Sequence, residues 1–180
     1  MEKHHILVLG VGNVLMSDEG VGVQCIHRLD DLFSFSENVH LLDGGTLGLN
    51  LLGPIGEAAS LIVIDCAIQG FAPGAISRLV VEELEASGNE KHSMHEVSFS
   101  EMLFMAKSMG TLPPTVIFAI EPQDIKTPAV ALTLPVAENL ELLCKFVLDE
   151  IKAAGGSFSQ KPAGEKPWSF ELRIDRDSRS

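Results

Sequence analysis

Four side chains able to do metal or acid–base chemistry stand where apolar runs give way to turns. They are Glu19 in Asp18-Glu19-Gly20, Asp43 in Asp43-Gly44-Gly45-Thr46, Asp65 directly after Leu61-Ile62-Val63-Ile64, and His95 after a polar stretch. Two or three carboxylates plus one imidazole make a mixed oxygen and nitrogen donor set. Such a set suits a borderline divalent ion such as Ni, Zn, Co or Fe better than Ca or Mg. Each residue also has an ordinary structural use. Glu19 near a helix start would stabilise the helix dipole, and Asp43 before two glycines would close an Asx turn. His95 alone would be a loop histidine, whereas Asp65, one position beyond a fully apolar run, is harder to dismiss. His92 stands among Asn89, Glu90 and Lys91, which favours solvent, and His4, His5, His27 and His40 have no acidic neighbours that suggest a site.

These residues need a scaffold that delivers them to one edge. The apolar run Ile6-Leu7-Val8-Leu9 reads as a buried strand, and the glycine-rich turn from Gly10 leads to a helix over 20–33 with Val21, Cys25, Ile26 and Leu29 at helical spacing. A dinucleotide turn would need a third glycine for close helix packing, but Met16 and Ser17 flank its place. The acidic pair Asp18-Glu19 would repel a phosphate and suits a cation.

Further strands are expected at 39–42, 61–64, 75–81 and 115–120, with a brief helix over 47–55 closed by Gly53-Pro54. Ser98 or Ser100 can cap a helix holding Met102, Leu103, Met105 and Ala106, in which Met is core filler and which Gly110 ends. Thr133 can cap a last helix over 135–154, with Val136, Leu140, Leu143, Phe146, Val147 and Ile151 on one stripe. Alternating strands and helices imply an α/β fold with a mostly parallel sheet, helices on both faces and sites at the C-terminal ends of strands. Glu19, Asp43 and Asp65 follow strands and so share that edge, and His95 can fold over it.

The chain has 180 residues, 46% of them hydrophobic, which fits one domain. We expect it over 1–156, followed by a mobile tail over 157–180 whose stretch from Trp168 to Ile174 alternates and could add to a sheet edge. A formal charge of -12 argues against nucleic-acid or anionic-membrane surfaces. The N-terminal apolar run is too short for a signal segment or a membrane span, so a cytoplasmic chain is expected, and a monomer. Cys25, Cys66 and Cys144 have no CxxC spacing and read as reduced core thiols.

There is no G-x-S-x-G elbow, no H-E-x-x-H helix and no Walker loop, which speaks against a self-contained serine or zinc peptidase. The order Gly10-Val11-Gly12-Asn13-Val14-Leu15-Met16-Ser17-Asp18-Glu19-Gly20-Val21-Gly22, Asp43-Gly44-Gly45-Thr46, Val63-Ile64-Asp65, Met94-His95-Glu96 and Ile120-Glu121-Pro122 resembles the nickel-dependent maturation endopeptidases of [NiFe] hydrogenases, over about residues 5–154.

The resemblance implies a three-layer α/β/α sandwich around a twisted sheet of about five strands. It makes Glu19, Asp65 and His95 the metal-contacting triad and Asp43 a candidate for the cleavage step. It further implies removal of a C-terminal extension from the hydrogenase large-subunit precursor after nickel insertion, with nickel carried by that precursor rather than permanently bound. Without a thiolate of their own, these ligands should bind nickel weakly until precursor thiolates complete the set. Cleavage would follow metal polarisation of the scissile carbonyl or water activation by a carboxylate such as Asp43. Two other classes fit parts of the pattern: a non-catalytic metal-handling chaperone, and a Rossmann-type nucleotide-binding enzyme.

Overall fold

Strands that are apolar on both faces must be covered on both faces, and this chain does so with helices. The computed structural model describes residues 5–81 and 97–162. Its order is β1 (Ile6–Val11), α1 (Val21–Leu32), β2 (Phe33–Phe35), β3 (Val39–Gly45), α2 (Leu52–Glu57), β4 (Ser60–Cys66), β5 (Ile76–Val80), α3 (Val97–Ser108), β6 (Thr115–Ile120), α4 (Leu134–Ala153) and β7 (Phe158–Gln160). A five-stranded sheet runs β3-β1-β4-β6-β5, parallel except for the edge strand β5. This is the expected mostly parallel α/β sheet.

Strand alternation sorts the core into two layers. Ile6, Val8, Ile62, Ile64, Phe118 and Ile120 pack under α1 and α4. Leu7, Leu9, Leu61, Val63 and Ile117 pack with Ile55 of α2 and Met102 and Ala106 of α3. The close helix approach that a third glycine would serve is supplied instead by Gly10 and Gly22. A Cβ on Gly10 would collide with the Gly22 carbonyl oxygen, and one on Gly22 with that of Ile64.

Three local expectations change. Gly53-Pro54 lies inside α2, where the first turn leaves a missing amide donor without cost, so it does not close that helix. Ser98 and Ser100 fall within α3 as described, and Met105 and Met109 are exposed while Met102 fills the core. Phe33 leaves α1 and starts β2, which pairs antiparallel with β7.

β7 lies beyond residue 156, where the domain was expected to end. The Phe158 ring lies 5.3 Å from Phe33 and 6.1 Å from Phe35, and Lys152 Nζ sits 4.7 Å from its centroid. The stretch from Trp168 to Ile174 lies outside the described residues. Replacing Phe158 with Ala should cost about 1–2 kcal/mol, less than full burial would give, and lower Tm by about 3–6 °C. A circular-dichroism melt checks this, and an unchanged Tm would contradict the seating of β7.

The three cysteines are buried thiols, as expected. Burial raises the Cys25 thiol well above its usual range, reinforced by Cys144, whose Sγ lies 3.3 Å away. Among the described residues, no helix is long and apolar enough to cross a membrane.

Candidate functional site

The turn after β1 is built so that its two acidic residues do different jobs. Asp18 is fully buried, and its carboxylate accepts four hydrogen bonds: from the amides of Gln123 (2.9 Å), Asp124 (3.0 Å) and Thr133 (2.7 Å) and from the Thr133 hydroxyl (2.8 Å). The expectation that Asp18 offers its charge to a cation is therefore corrected. Its charge is spent on backbone donors of the β6–α4 connection. Thr133 does stand at the N-cap of α4, but its hydroxyl serves Asp18 rather than its own helix.

Ser17, with φ of 52°, is the only non-glycine residue of positive φ among those described, and its amide donates to the Ala129 carbonyl at 2.7 Å. Glu19, half-buried in the same 3-10 turn, is carried on this welded backbone.

Asp65 ends the apolar run of β4 and remains inside the strand, 6% exposed, with Oδ1 accepting from the Cys66 amide at 2.7 Å. Burial, then the charges of Asp65, Glu19 and Asp18, push the Cys66 thiol far up. Three carboxylates thus stand near enough to the C-terminal end of β4 to act on that thiol.

Asp43 is elsewhere. It follows Val39 and Leu41, which face α1, whereas Asp65 follows Leu61 and Val63, which face α2 and α3. The two carboxylates thus leave opposite faces of the sheet, on strands separated by β1. Asp43 Oδ1 accepts from the Gly45 amide at 3.0 Å, the expected Asx turn, while Oδ2 lies 2.9 Å from His27 Nε2. His27 does have an acidic neighbour, contrary to the sequence reading, and it comes from the adjoining strand 16 residues on. His95, with Met94 and Glu96, lies outside the described residues, as does His92. No group of three or more His, Cys, Asp or Glu that could hold a metal occurs among the described residues.

A second clamp escaped the sequence reading. Glu121 is 4% exposed, with Oε2 accepting from the Gln69 amide at 2.7 Å and Oε1 from the Gly70 amide at 3.3 Å. It ties the β4–β5 connection to the end of β6 much as Asp18 ties the β6–α4 connection to the first turn. Both residues lie in the motifs that carry the resemblance, and the local signal for either was a carboxylate directly after, or one turn beyond, an apolar strand.

The hydrogenase maturation protease family model matches residues 23–150. The chain belongs to that family. It is 36% identical over 156 residues to the hydrogenase expression/formation protein HupD of Rhodobacter capsulatus, covering 86% of this chain and 74% of that one. It is 32% identical over 152 residues to the hydrogenase 2 maturation protease of Escherichia coli, covering 83% and 92%. The hydrogenase maturating endopeptidase HybD from E. coli superposes with a TM-score of 0.78 at 31% identity, over 87% of this chain and 98% of that one. As a hydrogenase maturation protease the chain is a hydrolase, an endopeptidase acting on a hydrogenase precursor, in place of the metal-handling chaperone and the nucleotide-binding enzyme that the sequence left open. The five-stranded sheet and flanking helices are the fold of this family.

Proposed function

We propose that this maturation protease removes the C-terminal extension of a [NiFe]-hydrogenase large-subunit precursor after nickel insertion, and that Glu19, Asp65 and His95 read the nickel. The observation that carries this reading is the buried Asp65 carboxylate at the end of β4, the charge of which bears on the Cys66 thiol together with that of Glu19. α3 supports the third contact. It precedes β6, its 12 residues span about 18 Å, and Met102 and Ala106 seat it on the face of the sheet that Asp65 shares. His95 is two residues before it.

Nickel is here part of the substrate, held by the precursor. Two carboxylates and an imidazole bind it weakly alone and complete its coordination once precursor thiolates supply the rest. Loading thereby becomes the condition for productive binding. Of the two hydrolytic routes we take polarisation of the scissile carbonyl by the metal, because Asp43 leaves the face of the sheet opposite Asp65 and so stands outside the nickel contact set; its pairing with His27 leaves it the candidate for water activation.

The cognate precursor and casein, incubated in parallel with the purified chain, test the function. Only the precursor should lose mass, by its C-terminal extension, and serine and cysteine protease inhibitors should have no effect. General proteolysis of casein would overturn the reading.

A further inference from the structure

All four connections leaving the C-terminal edge of the sheet carry large exposed apolar side chains. Leu15 is 58% exposed, Phe71 57%, Val130 54% and Leu134 71%. Leu47 and Leu49, after β3, complete the series. Soluble chains seldom gather such side chains on one rim unless a partner covers them.

The rim is also held rigid. The Ala129 amide donates to the Leu15 carbonyl at 3.0 Å, and Asp18 fixes both ends of the segment that bears Val130, directly before Leu134. The Glu121 carboxylate holds the amides of Gln69 and Gly70 just before Phe71, and its backbone carbonyl accepts from the Gly74 amide at 2.8 Å just after it. Two buried carboxylates are thus used to preset loops whose outward side chains are apolar, which lowers the ordering cost of docking.

We propose that this rim is the docking surface for the body of the precursor, whose matching face is apolar with basic residues around it. The inference rests on the proposed function. Its occupant is argued from two features: the rim lies at the edge to which β1 and β4 deliver Glu19 and Asp65, where the precursor's metal would arrive, and the chain carries a formal charge of -12. Apolar contact gives affinity, and the negative field steers a basic partner.

The test uses Phe71→Ser and Leu134→Ser, with Phe104→Ser on α3, 73% exposed, as a control away from the rim. Steady-state cleavage of nickel-loaded precursor and binding of nickel-free precursor are measured together, with melting curves to show that each variant is folded. Each rim variant should raise KM and weaken binding about tenfold, the loss of one well-buried contact, with kcat within about twofold, and Phe104→Ser should change neither. Unchanged KM and binding in both rim variants would overturn the proposal. So would a wild-type dimer in sedimentation that the rim variants dissociate, because a second copy would then be the occupant. Asp65→Asn separates the two ideas: it should abolish cleavage and leave docking intact. If wild-type protein binds precursor through the rim without cutting it, the proposed function fails and the docking surface stands.

Discussion

Replacing Asp18 with Ala should lower stability by about 2–4 kcal/mol, because one buried carboxylate that serves four donors is lost. Three backbone amides and the Thr133 hydroxyl lose their acceptor at once. The donors are only partly buried, so water replaces part of what they lose, and the rest is the desolvation of donors left without partners. For a domain of this size the shift in Tm is roughly 10 °C. Asp18→Asn should fare little better, since one carboxylate oxygen becomes a donor facing donors. Both variants should also be poor proteases even when folded at low temperature, because Glu19 rides on the turn that Asp18 anchors. A melting curve with a parallel cleavage assay decides this, and a shift below about 2 °C, the effect of well under 1 kcal/mol, would contradict the clamp.

Asp65→Asn has the opposite profile. The amide keeps the shape and an oxygen for the Cys66 amide, so Tm should move by only a few degrees. Cleavage of the nickel-loaded precursor should fall by roughly a hundredfold or more, since even outer partners of a metal ligand cost 10–100-fold. Asp43→Asn should lose far less, because its carboxylate leaves the other face of the sheet towards His27. Activity of Asp65→Asn within about threefold of wild type would remove it from the nickel contact set. A hundredfold loss in Asp43→Asn would favour water activation by that carboxylate over metal polarisation.

How legible each feature was follows from where its partners lie. β1, β4 and β6 were readable because a strand buried on both faces is a continuous apolar run, and their central register is Leu9 beside Val63 and Val63 beside Ile117. The place of Asp65, buried at the end of β4, was readable because it directly follows such a run. The role of Asp18 was not, since its donors lie 105 to 115 residues away and two of the three residues that supply them, Gln123 and Thr133, carry no charge.

The contact of His27 with Asp43 depends on α1 packing against the neighbouring strand, which local periodicity does not encode. β7 was missed for a related reason. Phe158 is one apolar residue in a polar context, and its partners Phe33 and Phe35 come from the far end of the chain. Gly53-Pro54 misled because proline stops a helix from within but is accepted in its first turn.

The central claim is that nickel in the precursor, read by Glu19, Asp65 and His95, licenses the cut. The direct measurement gives the enzyme equal amounts of nickel-loaded and nickel-free cognate precursor and follows release of the C-terminal extension by mass spectrometry. Only the loaded precursor should be processed, and His95→Ala or Asp65→Asn should leave it intact. Equal processing of the nickel-free precursor would contradict the account.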